Sequence, residues 1–297
     1  MAHERSVPGV AGKRVVISGA SRGLGRAFAL ALAGQGARLV INGTNESALL
    51  ETVAMIDAVG AEVTPVVGAI DEPDTAARMV GASQSAFGGI DMAIANAAVN
   101  ESKPFLTSAV QDLDRTVAVN IRGTWLLCRE AAAVMGHGGQ LLIVTAAAGF
   151  TRSTGLTSYA ATKAAGLGLM CALAEEFEPL GIRVNAFGPT AVTDMSRPSL
   201  SAIADRYAAQ GVEPPEPREL GFGTPEDVAK VVVYLASDAS SHLHNQLIRF
   251  NGSRLSLWRL AQEAVAVTRD RWELEDLAEH FPDPVNSIAE VPAQARV

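Results

Sequence analysis

Ser18-Gly19-Ala20-Ser21-Arg22-Gly23-Leu24-Gly25 constrains the fold more than any other stretch of the chain. It directly follows a short β-type run, Arg14 to Ser18, and opens a helical pattern from about Leu24 to Ala33, ended by Gly34 and Gly36. Glycines at 19, 23 and 25 let the backbone turn tightly, approach a pyrophosphate and pack helix against sheet. The helix start then presents unpaired N–H groups and a positive dipole end to an anion. A strand–turn–helix of this kind belongs in a parallel α/β sheet, and the rest of the chain keeps the same rhythm.

The further strands are expected at Arg38–Asn42, Glu62–Val67, Met92–Ala95, Leu141–Thr145, Ile182–Phe187 and Asn245–Phe250. Helical patterns separate them near 47–59, 74–87, 108–135 and 158–178. Another helix is expected at 225–236, with Thr224 as N-cap and Pro225 at its first position. Right-handed crossovers join such elements into a Rossmann-type, doubly wound parallel sheet of seven strands. The expected organisation is an N-terminal arm over 1–12, a dinucleotide-binding domain over 13–252 and a C-terminal extension over 253–297. Residues 196–222, polar and rich in proline, follow the sixth strand, where a ligand-covering insertion or a disordered loop would both fit. A short helical pattern runs from Trp272 to His280, its acids lying on a solvated face.

Composition narrows the function. Of 297 residues 48% are hydrophobic and 19% charged, enough for a packed core, and the formal net charge is −8. An acidic chain has no long-range attraction for phosphate backbones or anionic lipid, so neither nucleic acid nor membrane is expected as a partner. No apolar run reaches membrane-spanning length and no secretory signal pattern is visible, so a cytoplasmic location is expected. Cys128 and Cys171 sit in apolar helical patterns and read as small buried residues. His242 and His244 are read as loop residues, and no metal site is expected.

The end of the second strand reads Asn42-Gly43-Thr44-Asn45. It lacks the carboxylate that would bind the ribose diol of NAD, while Arg22 could pair with a 2′-phosphate, so NADP(H) is favoured over NAD. Tyr159 and Lys163, four apart on one helix face, place an ammonium beside a phenol. Such a neighbour, like an oxidised nicotinamide, lowers the phenol's pKa and suits it to exchange a proton with a carbinol or carbonyl oxygen.

From about Lys13 to Gly252 the chain resembles the short-chain dehydrogenase/reductase family. The resemblance rests on ordered blocks: Ser18 to Gly25, Asn96-Ala97-Ala98, Val119-Asn120-Ile121-Arg122-Gly123, Tyr159 with Lys163, Arg183 to Ala186, Pro189, Gly223 to Ala229 and Asn245 to Gly252. It implies Tyr159 as general acid/base and Lys163 as the residue that tunes it and holds the nicotinamide ribose. Asn120 would hold a proton-relaying water, and Gly19, Ser21, Arg22, Gly23, Leu24, Gly25, Asn96, Pro189 and Thr193 would line the cofactor site. It also implies a homo-dimer or homo-tetramer built on the helices near 108–135 and 158–178.

The chain departs from the family's pattern at several points. The family's catalytic Ser is Ala146, its adenine-contacting Asp is Ala69, the Gly of its Asn-Ala-Gly turn is Ala98, its Pro-Gly is Pro189-Thr190, and its Thr-Gly before the last strand is His244-Asn245. Thr145 points to the opposite face from position 146, so a simple exchange is not expected. Ser153, Thr154, Thr157 or Ser158 could reach in from the following loop. Losing one such donor costs about 3–4 kcal/mol of transition-state stabilisation, which slows turnover without abolishing it. The expected activity is NADP(H)-dependent interconversion of a carbonyl and an alcohol on a small to medium, largely apolar substrate. The alternatives are an enzyme of the same fold without net redox (dehydratase, isomerase or cyclase) and a non-catalytic partner subunit.

Overall fold

A computed structural model describes residues 8–151, 153–259, 268 and 270–280. The chain divides into two compact units, Met1–Trp258 and Arg259–Val297. In the second unit the described helix is α9 (Leu274–His280), within the pattern expected over Trp272–His280.

The first unit is built on one sheet, whose strands are β1 (Arg14–Ile17), β2 (Arg38–Gly43), β3 (Val63–Val67), β4 (Met92–Ala95), β5 (Gln140–Val144), β6 (Arg183–Pro189), β7 (Leu247–Phe250) and β8 (Leu255–Trp258). Their spatial order is β3-β2-β1-β4-β5-β6-β7-β8. The seven expected strands are all present and all pair in parallel. The structure adds β8, which lies antiparallel to β7 and comes from a stretch expected only as part of the extension. Val, Ile and Leu dominate the central strands because both of their faces are covered.

On one face pack α1 (Gly23–Ala33), α2 (Glu46–Asp57) and α8 (Pro225–Ala236), where Phe28, Leu32 and Val232 join Ile17, Ile41 and Phe187 in a buried apolar core. On the other lie α3 (Pro73–Phe87), α4 (Val110–Val117), α5 (Gly123–Ala132) and α6 (Thr157–Phe177). Thr224 caps α8 as expected, its hydroxyl accepting the Asp227 N–H at 3.0 Å, with Pro225 next. The segment expected as one helix over 108–135 is two, α4 and α5, joined by a π-helical turn over Ala118–Arg122 in which the Gly123 N–H reaches back to the Ala118 carbonyl. Apolar periodicity cannot register one residue too many, which is why the sequence shows a single run.

Part of the insertion over 196–222 is ordered: α7 (Arg197–Ala209) follows β6 and has Pro198 in its first turn. His244 does more than fill a loop. Its Nδ1 accepts the Val184 N–H at 3.2 Å and its Nε2 lies 3.1 Å from the Ala174 carbonyl, so the ring ties β6 to α6. Both cysteines are free thiols; Cys128 is buried, and burial pushes it up to about 12. No helix among the described residues is long and apolar enough to cross a membrane.

Candidate active site

Strand order reverses between β1 and β4, and in open α/β sheets the crevice beyond the carboxyl ends at such a point takes the ligand. A cleft of ≈ 510 Å³ lies there. Gly19, the run Ser21 to Gly25, Asn96, Tyr159, Lys163, Pro189 and Thr193 all line it, so the structure gathers the expected cofactor residues into one site.

The glycine loop is shaped by steric need. Gly19 has φ +68°, and a Cβ there would lie 2.7 Å from the Ala97 Cα. At Gly25 a Cβ would run into the Gly19 carbonyl oxygen. Asn96 braces the loop from β4, its Nδ2 donating to the Ser18 and Gly19 carbonyls at 3.0 Å each. Ser18 Oγ accepts the Asn96 and Ala97 N–H groups at 3.1 Å. The N-terminus of α1 has no side-chain cap and no acid in its first turn, so no carboxylate of that turn competes for its N–H groups. A diphosphate fits this cradle.

At the adenosine end Asn42 is spent on structure, its Nδ2 donating to the Val66 and Gly68 carbonyls at 2.9 Å, while Gly43 and Thr44 line the cleft. Gly43 is there because a Cβ would overlap Ser21 Oγ. Arg22 reaches over the mouth of the cleft to Asp194, with a closest N···O distance of 3.7 Å, and Arg197 holds the same carboxylate at 3.0 Å. Sequence reading missed Asp194 as a partner of Arg22, since nothing local links the two. Thr193, beside Asp194, faces Gly23 across the same opening.

At the other end, Lys163 is buried and its Nζ donates to the Val144 carbonyl at 2.8 Å. Burial pushes its ammonium down to about 8. Nζ lies 5.6 Å from the centroid of the Tyr159 ring. The phenol, part-buried in the cleft wall, is pushed up to about 12 by burial. The expectation that Lys163 lowers it is therefore not met in this state, because desolvation outweighs an ammonium already engaged by a carbonyl. The Tyr159 hydroxyl has no hydrogen-bond partner among the described residues and is left to a ligand.

Asn120 does not line the cleft. Its Oδ1 accepts the Val99 N–H at 2.8 Å, and its Nδ2 donates to the Val99 carbonyl and to Thr162 Oγ1, both at 3.0 Å. It thus fixes the wall residue Val99 and the residue before Lys163. Ala146 lines the cleft, while none of Ser153, Thr154, Thr157 and Ser158 does, so the loop offers no replacement hydroxyl there. Thr145 lines it too, but its hydroxyl is committed to the Lys163 carbonyl at 2.9 Å. Among the described residues no group of three His, Cys, Asp or Glu could hold a metal ion.

Comparison with known proteins agrees with this geometry. A family model described as enoyl-(acyl carrier protein) reductase matches residues 19–252. An L-rhamnose 1-dehydrogenase (NAD(P)(+)) of Sphingomonas sp. is 33% identical over 247 residues, covering 81% of this chain and 95% of that protein. A 3-oxoacyl-[acyl-carrier-protein] reductase of Aquifex aeolicus is 30% identical over 246 residues, covering 81% and 96%. Among solved structures, a short chain dehydrogenase from Burkholderia cenocepacia in complex with NADP matches with a TM-score of 0.73 at 28% identity, covering 82% of this chain and 98% of that one.

Proposed function

Because the chain belongs to the short-chain dehydrogenase/reductase family of oxidoreductases, we propose that it interconverts a carbonyl and an alcohol using NADP(H), with Tyr159 moving the proton. The observation that carries this reading is the Tyr159 hydroxyl, without a hydrogen-bond partner among the described residues, in the same cleft as an uncapped glycine cradle and beside a buried lysine. The dinucleotide, when bound, supplies or accepts the hydride. The chain's own residues do the rest. The α1 N-terminus and glycine loop hold the diphosphate, and Lys163 holds the ribose next to the reacting ring. In the reducing direction the Tyr159 hydroxyl donates its proton to the carbonyl oxygen, and Lys163 steadies the phenolate that forms.

NADP is favoured over NAD because the end of β2 carries no carboxylate and Arg22 stands at the loop. The Arg22–Asp194 pair does not oppose this, since both side chains are largely exposed, at 78% and 60%. Exposed pairs are worth only about 0–1 kcal/mol, little against a bidentate phosphate contact. Ala97, Ala98, Val99 and Ala146 make much of the wall apolar, in keeping with a small to medium, largely apolar substrate. Val110, Leu113 and Trp125, exposed on α4 and α5, support a homo-oligomer.

Calorimetric titration with NADPH and NADH tests the cofactor reading: tight NADPH and weak NADH binding are expected, with the preference reduced in Arg22→Gln. Tyr159→Phe is expected to keep NADPH affinity while ketone reduction falls by about 10²–10⁴. Turnover unchanged in that variant refutes the role of Tyr159. The alanine at 146, with no hydroxyl in its place, favours a second reading, acid/base chemistry without net redox. Stoichiometric NADPH oxidation per product excludes it.

A further inference from the structure

The cofactor cleft does not explain strand β8. Its side chains alternate: Leu255 and Leu257 are exposed, while Ser256 and Trp258 turn to the other face and are half-buried. Trp258 packs on Phe150, the ring centroids 4.8 Å apart and the planes tilted by 58°. The Arg249 guanidinium, from β7, lies 4.9 Å from the Trp258 centroid and 5.9 Å from that of Phe150. Its Nε is buried without a hydrogen-bond partner among the described residues, and burial, with Arg254 nearby, lowers its pKa. Among the described residues this arginine has no acidic partner, and the two ring faces are what holds it.

Phe150 closes the turn Ala147–Gly149, which begins beside the cleft residue Ala146. That turn lies flat on α6 at the catalytic lysine: a Cβ at Gly149 would stand 2.7 Å from the Ala164 nitrogen and 2.8 Å from the Lys163 carbonyl carbon. The Arg249 stem adds a second path. A Cβ at Gly188 would be 3.3 Å from Arg249 Cγ and 3.7 Å from Thr145 Cγ2, and the Thr145 hydroxyl is bonded to the Lys163 carbonyl. Neighbouring groups therefore lead from the edge strand toward Lys163 by two routes, one through the Gly149 turn and one past Gly188. A short surface turn has little to hold it in place by itself, so what packs on its outer side sets its position.

We infer that Trp258, through Phe150 and Arg249, is a positioning residue for the reaction: it clamps the 146–150 turn on α6 and so fixes Lys163 and Tyr159 against the cleft. The inference rests on the reading of Tyr159 and Lys163 as the proton-transfer pair. It gives β8 a role in catalysis although none of its residues lines the cleft.

The test uses the full chain with Trp258→Ala, Trp258→Phe and Phe150→Leu, and with Leu257→Ser as a control on the opposite face of β8. Two quantities are read: kcat separately from KM for a carbonyl substrate, and the rate at which acetic anhydride acetylates Lys163 in cofactor-free protein, followed by peptide mass. Trp258→Ala is expected to lower kcat about tenfold and to speed acetylation about as much, because displacements of this kind act on geometry at the reacting atoms. Trp258→Phe restores both, Leu257→Ser changes neither, and Phe150→Leu combined with Trp258→Ala is no worse than either alone, as one shared contact requires. Wild-type kcat and acetylation in folded Trp258→Ala overturn the inference, as do effects of the two substitutions that multiply. Should Trp258→Ala fail to fold, Phe150→Leu against Trp258→Phe decides on the same readouts. Failure of the wild type to reduce any carbonyl would count against the functional reading, while the acetylation rates still decide the clamp.

Discussion

Replacing Lys163 by Met removes a buried ammonium and keeps an unbranched side chain of similar length. The native state gives up the Lys163 proton near pH 8, against 10.5 for a free lysine. Between those values the unfolded chain binds more protons, so stability rises with pH; the cost of burying the charge is fully present below pH 8 and fades toward 10.5. At about 1.4 kcal/mol per pH unit, the gap amounts to about 3 kcal/mol at pH 7 and about 1.5 kcal/mol at pH 9.5. Met also forgoes the bond to the Val144 carbonyl, a loss of about 1 kcal/mol that does not depend on pH. Urea unfolding of cofactor-free protein should therefore find Lys163→Met more stable by about 2 kcal/mol at pH 7, with most of that advantage gone by pH 9.5. Cys128 and Tyr159, both pushed up to about 12, erode stability in alkali in both proteins and cancel in the difference. A difference that stays constant from pH 7 to 9.5 would refute the reasoning, because the ammonium would then not be the buried group it is taken to be.

Two further substitutions probe the frame of the site. Gly25→Ala drives a methyl into the Gly19 carbonyl and should destabilise the protein by about 1–3 kcal/mol, read by denaturant midpoint, while weakening NADPH binding in calorimetry. Asn120→Ala strands the N–H and carbonyl of Val99 and should cost about 2–3 kcal/mol in the same unfolding assay, with KM for the carbonyl substrate raised as that wall loosens.

Much of the frame could be read before any coordinates because its signals are local. Gly19 and Gly23 stand at positive φ, and Gly25 stands where a Cβ has no room; Thr224-Pro225 announces a helix start, and the apolar strands declare burial on both faces. Tyr159 and Lys163 were legible as a pair for the same reason, since helix periodicity alone puts them together. What was not legible depends on partners far along the chain. β8 is four residues long and pairs only because β7 leaves it an edge. The hydroxyls of Thr145 and Thr162 look like any others until the Lys163 carbonyl and Asn120 stand beside them. For the phenol, sequence supplies the neighbouring charge but not the depth at which both groups lie, and without cofactor burial pushes it up.

The π-helical turn between α4 and α5 carries a consequence for chain length. In a helix, residue count is rotation, and each residue added turns everything beyond it by about 100°. Asn120, gripping Val99 from within that step, and the buried row Leu126, Leu127 and Ala131 beyond it both face inward. Deleting one residue from Ala118–Arg122 would let the helix wind on regularly, yet one of the two sets would then face the wrong way. This segment accepts changes of spelling at its solvent-facing positions but not a missing letter, so a loss in reading frame of three bases is felt here more sharply than in the loops on either side.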